Sequence, residues 1–98
     1  RVLFRSTYAE CMYNAAVCAE ELSKNDDAVA YYKSAADVKD FYLASHALFN
    51  AARVSELSEN YSNAAELYQK TVDSYSGYEW ANLSESRLID LKAKGKID

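Results

Sequence analysis

The chain has 98 residues, a net charge of −4, 50% hydrophobic residues, nine tyrosines, no proline and only two glycines. That acidic balance argues against nucleic acid, whose binding rests on Lys and Arg contacts to phosphate. No apolar run approaches the roughly 20 residues needed to span a bilayer, and the length limits the chain to one small domain or part of a larger one. The sequence starts at Arg1 and not at Met, so it is expected to be part of a longer chain, and the absence of a signal peptide says nothing.

Helix formers throughout, with so few strand and turn formers, predict an all-α fold. The first helix is expected over about Thr7 to Ser23, with Tyr8, Cys11, Met12, Ala15, Ala16, Ala19 and Leu22 at helical spacing. Ser23-Lys24-Asn25 breaks it, and Asn25 is placed to cap a second helix whose first turn holds Asp26 and Asp27. Asp40 is placed to cap a third helix reaching about Leu57. After Ser58-Glu59-Asn60 a fourth runs from Tyr61 to Ser74. Ser76-Gly77-Tyr78-Glu79 reads as a capping box, with Tyr75 and Trp80 closing a hydrophobic staple ahead of a fifth helix. That helix carries Leu83, Leu88 and Leu91 and ends near Gly95, with Arg87, Lys92, Lys94 and Lys96 complementing its dipole.

Tyr13-Asn14-Ala15-Ala16 and Phe49-Asn50-Ala51-Ala52 are one phrase written twice, 36 positions apart. Ala28, Tyr32 and Ala35 follow the first copy at the distances at which Ala64, Tyr68 and Thr71 follow the second. A fixed period of this size marks a stacked repeat, in which each unit buries its apolar face against its neighbours. Two hairpins and a fifth helix then make an α-solenoid of antiparallel helical hairpins, with unit 1 over about 6–40, unit 2 over about 41–76 and a capping helix over about 77–95.

These residues resemble the tetratricopeptide repeat (TPR) over about residues 8 to 95. The resemblance departs from the family pattern in having Ala-Ala for Leu-Gly, Asp40 and Ser76 for the unit-ending proline, and 36 residues for the usual ~34. It implies a right-handed superhelical stack whose first helices line a concave groove. Asp73 to Ala81, with Arg87, Leu88 and Leu91, is similar to repeat junctions of bacterial cell-envelope proteins, the periplasmic coordinator of the Tol–Pal system and the lipoprotein of the outer-membrane assembly machine among them. That favours an envelope location over the cytoplasm.

No catalytic constellation is legible. His46 is the only histidine and lacks a partner at metal-ligand spacing; Cys11 and Cys18 lie seven apart on one helix, about 10 Å along its axis, too far for a disulfide. The two cysteines read as small buried hydrophobes. Glycine-rich phosphate loops and nucleophile-elbow glycines are missing, and Glu20, Glu21 and Glu56 read as solvated. Neither an enzyme nor a cofactor or metal is expected, and the last helix lacks the polar face of a membrane-surface helix.

Groove positions carried over from the resemblance fall on Glu10, Tyr13, Val17, Glu20 and Glu21, then His46, Phe49, Arg53, Glu56 and Leu57, then Asn82, Glu85, Ile89 and Lys92. The partner-binding residues expected are Tyr13, Val17, His46, Phe49, Arg53, Glu56, Glu85 and Ile89. Aromatics and Arg are the usual interface anchors, and Arg53 could grip a ligand carboxylate in bidentate fashion. Tyr13 and Phe49 read equally as groove or core. The excess of Glu suggests a protein or peptide partner with basic and apolar residues, whereas Tyr31 and Tyr42 receive no role. The expected function is a protein-interaction module; the alternative is a structural spacer or self-association arm. An N-terminal edge with Val2, Leu3 and Phe4 uncovered would call for preceding repeats or a homo-oligomer.

Overall fold

The structure, a computed structural model, describes the backbone of residues 2–98 and the side chains of residues 7–98. Val2, Leu3 and Phe4, which the uncovered-edge expectation invoked, fall outside the described side chains. The described residues form five α-helices and no strand: α1 (Val2–Glu21), α2 (Asn25–Ala36), α3 (Ala44–Leu57), α4 (Tyr61–Ser74) and α5 (Glu79–Ala93). Each helix packs on the next, and α3 also touches α5. The result is an all-α helical repeat, a slab of 44 × 32 × 15 Å.

Alanine sets the packing. Ala9, Ala16, Ala28, Ala35, Ala47, Ala51, Ala52 and Ala64 are all fully buried. A methyl side chain lets helix backbones come close, and interiors this tightly packed lose roughly 1–3 kcal/mol when methylenes are forced in. Larger residues fill the space between hairpins: Tyr32 (2% exposed) and Tyr68 (0%) from α2 and α4, with Leu48, Val54, Leu67 and Leu91. The repeated phrase thus encodes the small surface of each first helix and the tyrosine that the second helix lays against it.

Helix ends account for the short joints. Beyond α1, Ser23 takes a left-handed conformation (φ 61°) and the Lys24 N–H donates to the Ala19 carbonyl at 2.8 Å. Beyond α3, Glu59 (φ 63°) does the same, with Asn60 N–H donating to the Ser55 carbonyl at 2.9 Å. Gly95 (φ 74°) closes α5, as expected, through Lys96 N–H and the Leu91 carbonyl at 2.9 Å. All three are Schellman-type stops, two of them built on residues with a Cβ.

Several expected boundaries move. The first helix begins well before Thr7, at Val2. Lys24, not Asn25, is the N-cap of α2 and makes no side-chain cap, because the Schellman turn feeds the chain straight into the helix. Asp40 caps nothing: it is itself left-handed (φ 68°), and α3 starts four residues later at Ala44, after buried Phe41 has anchored the loop. The capping box and staple at Ser76 to Trp80 do not form. Tyr78 is the N-cap of α5 without a side-chain bond, Tyr75 pairs edge-on with Tyr78, and Trp80 turns toward α3. Leu83 is 44% exposed, its expected core place being taken by Ala81 and Ser84. Cys11 and Cys18 are exposed free thiols rather than core residues, because the α1 face they occupy is covered by no other described helix.

Candidate functional site

The first helix of each hairpin and α5 place an ionic ladder along one side of the stack. Glu20 on α1 accepts a hydrogen bond from the Tyr32 hydroxyl of its own hairpin at 3.0 Å. It is also gripped by Arg53 of the next hairpin, Nη1 to Oε2 at 2.7 Å and Nη2 to Oε1 at 2.8 Å. One repeat on, Glu56 accepts from the Tyr68 hydroxyl at 2.8 Å and from both Nε and Nη2 of Arg87 on α5. Each rung therefore joins three helices of two successive units through one carboxylate. A bidentate guanidinium is well suited to this, since its planar fork matches the two oxygens.

The ladder stops at both ends. Val17 stands one repeat before Arg53, with no guanidinium to offer. At the other end Asp90 sits three residues after Arg87, as Glu56 does after Arg53. Its shorter carboxylate lies within its own helix, 3.2 Å from Arg87 Nη2 and 3.1 Å from Lys94 Nζ.

Electrostatics follow from the contacts. The Arg53 hydrogen bonds hold the Glu20 carboxyl below the usual range, outweighing burial. For Glu56 burial is the larger single influence and pushes upward, but Arg87 and Tyr68 together bring the net shift down. Burial, followed by the adjacent carboxylate, raises the Tyr32 and Tyr68 hydroxyls. Both glutamates are ionised acceptors at neutral pH, and both tyrosines donate.

An aromatic belt runs beside the ladder. Tyr13 on α1 lies 5.8 Å from His46 on α3, centroid to centroid; His46 stacks on Trp80 of α5 at 4.0 Å with planes 7° apart. Phe49 tilts against Trp80 (5.2 Å) and Tyr68 (5.7 Å), while Tyr13 meets Tyr32 edge-on at 5.4 Å. Hydrogen bonds tie belt to ladder. Arg53 Nε donates to Asn50 Oδ1 and Asn50 Nδ2 donates to the Tyr13 oxygen, each at 3.1 Å. The Tyr13 hydroxyl is then free to donate to His46 Nδ1, also 3.1 Å away. An accepting Nδ1 requires a neutral ring, and burial, with Arg53 second, pushes the His46 pKa below its ordinary value.

The expected site residues divide accordingly. Tyr13, His46 and Arg53 share one connected seam, with Val17 exposed at its N-terminal side, and Glu56 stands in the second rung with Tyr68 and Arg87. Phe49, at 9% exposure, lies in the core behind the belt. Arg53 is corrected: its fork is occupied by Glu20, so it does not wait for a ligand carboxylate. Glu20 and Glu56 are likewise corrected, from solvated carboxylates to the centres of two rungs. Glu85 and Ile89 stand two residues on either side of Arg87, so 3.6 residues per turn puts each about 160° around α5 from the ladder. They do not join the seam. Trp80 is the residue that sequence reasoning missed. Counting back seven from Arg87 would have found it, since His46 stands seven before Arg53. No group of three or more His, Cys, Asp or Glu among the described residues is arranged to hold a metal ion, and no described helix is long and apolar enough to cross a membrane.

Comparison with known proteins bears on the family. Residues 10–37 match the family model described as Tetratricopeptide repeat. A "TPR repeat-containing protein" of Treponema pallidum (strain Nichols) is 33% identical over 93 residues, which is 93% of this chain and 39% of that protein. The chain thus spans well under half the length of this relative. No solved structure matches it significantly. Both matches are to tetratricopeptide repeats, which generally mediate protein–protein interaction.

Proposed function

We propose that this chain is a protein-interaction module that takes a partner segment across the face formed by α1, α3 and α5. The observation that carries the reading is the belt of Tyr13, His46 and Trp80. These three half-buried rings come from three helices, with Tyr13 hydrogen-bonded to His46 and Trp80 stacked on it. Such rings offer large, rigid contact area with little entropy to lose on binding. The guanidinium groups of Arg53 and Arg87 are engaged by Glu20 and Glu56, whereas Glu10, Glu21 and Glu79 stay exposed. The surface left to a partner is therefore aromatic with an acidic rim, which suits a peptide carrying apolar and basic residues. Resemblance of the Asp73 to Ala81 stretch to envelope-protein junctions supports a bacterial envelope complex as the setting.

Selection of random peptides displayed against the chain tests this. The reading expects enrichment of apolar-basic sequences, and loss of their binding on Trp80→Ala. Enrichment of acidic sequences, or binding indifferent to Trp80→Ala, would sink it.

One observation favours a second reading, self-association. Tyr8, Cys11 and Cys18 are exposed on α1, whereas their counterparts one repeat later, Ala44, Ala47 and Val54, are buried on α3. The α1 stripe is thus a helix seat that no other described helix occupies. A mass that stays monomeric over a hundredfold concentration range would remove this alternative.

A further inference from the structure

A cleft of about 390 Å³ opens at the joint between the hairpins, beside the belt, whose Tyr13 meets its Phe41 edge-on at 6.4 Å. Its walls are the loop between α2 and α3 on one side and the turn between α4 and α5 on the other. Two edge-on aromatic pairs line it: Phe41 with Tyr42, centroids 5.4 Å apart, and Tyr75 with Tyr78, 5.7 Å apart. Phe41 is a buried anchor, but Tyr42 is 72% exposed and Tyr78 58%. Tyr42 has one exposed hydrogen bond, to Glu10 at 3.3 Å, and Tyr78 serves α5 only through its backbone. Folding alone does not account for two large rings left in water.

Their placement is built in. Tyr42 and Tyr78 occupy the same place in the 36-residue repeat, so stacking of the units sets them along one edge. Left-handed residues hold both turns, Asp40 at φ 68° and Gly77 at φ 92°. At the mouth lie Lys39 and Asp40, and Glu10 accepts from the Tyr42 hydroxyl at 3.3 Å. Two carboxylates against one ammonium leave the rim negative.

We propose that this joint cleft docks an extended, proline-rich peptide segment with a basic residue beside the prolines. A polyproline II strand has three residues per turn and no internal hydrogen bonds. Its rings can therefore lie in the slots between tyrosines while its carbonyls accept from their hydroxyls. Such a strand is already extended when free, so a shallow site can hold it at small entropic cost. The basic residue answers the acidic rim.

The probe is a short polyproline peptide ending in arginine, titrated into the chain and followed by amide chemical shifts. Expected are changes centred on Asp40 to Ser45 and Tyr75 to Tyr78, and weakening by about tenfold for Tyr42→Ala and for Tyr78→Ala with the melting temperature unchanged. Absence of binding would overturn the proposal, as would shifts centred on Tyr13, His46 and Trp80 or unchanged affinity in both variants. Chitotriose occupying the same cleft while the peptide does not would mark it as a sugar site and overturn it too. The cleft adjoins the belt through Phe41 and Tyr13, so the variants separate the two: Tyr42→Ala and Tyr78→Ala report on the cleft and Trp80→Ala on the belt, and each reading can fail alone.

Discussion

Arg53 on α3 reaches back across a unit boundary to close both oxygens of Glu20 on α1, at 2.7 and 2.8 Å, on the carboxylate that Tyr32 already engages. Glu56 and Arg87 repeat the arrangement one unit on. A solenoid has no distant contacts to fix the angle between units, so a bridge spanning each boundary carries weight beyond an ordinary surface pair.

Breaking a rung should therefore be felt. The pair is partly exposed, 35% for the Arg53 side chain and 25% for Glu20, which puts it between surface and buried ion pairs. Glu20→Gln or Arg53→Met is expected to cost about 1–2 kcal/mol, roughly 4–8 °C per kcal/mol for a domain of this size. A double-mutant cycle on denaturant midpoints should give a coupling near 1 kcal/mol. Additive single costs would show that the two side chains do not act as a bridge.

Acid should loosen the stack in two stages. His46 has a depressed pKa in the fold, so below its ordinary 6.5 the unfolded chain takes up the proton first and stability falls until the folded pKa is passed. Glu20 and Glu56 are also depressed, so their stabilisation is full above 4.5 and is lost as pH falls through their folded values. Chemical denaturation across pH should show both limbs. His46→Phe, which keeps a ring on Trp80, should flatten the upper one, and an unchanged profile would mean that His46 is not held neutral.

Left-handed stops on residues with a Cβ are a reservoir of strain. Ser23→Gly and Glu59→Gly are each expected to stabilise by about 0.5–1 kcal/mol. Gly95→Ala should cost a similar amount, and since nothing lies within 4 Å of the added methyl, the loss would be conformational and not steric. Melting curves decide, and destabilisation by both glycine variants would contradict the Schellman geometry.

Exposure of Cys11 and Cys18 predicts full reaction of both thiols with an aromatic disulfide reagent in the native state. Cys→Ser at either position should change stability by less than about 0.5 kcal/mol. Reaction that requires denaturant would return them to the core.

The repeat was legible because its phrase is about packing: Ala16 and Ala52 need small side chains at a crossing, and Tyr32 and Tyr68 fill what remains. Tyr61 to Ser74 was bounded correctly because Asn60 does cap it, accepting from Asn63 N–H. Asp40 and Ser76 misled because good cap residues are equally good turn residues, and the turn won at both. The ladder was hidden for another reason. Glu20, Arg53 and Glu56 each look solvated when read alone, and only the offsets Glu20–Glu56, Tyr32–Tyr68 and Arg53–Arg87 taken together would have paired them. The last of these is 34 rather than 36, whereas the carried-over groove positions Glu85 and Ile89 stand 36 after Phe49 and Arg53, on the far face of α5.

An amide shift map of the chain with its best display-selected peptide tests most directly the proposal that a partner lies on the belt. The predicted footprint covers Tyr13, Val17, His46 and Trp80 and leaves the buried face of α4 silent. A footprint confined to α2 and α4, or to the exposed α1 stripe of Tyr8, Cys11 and Cys18, would contradict it.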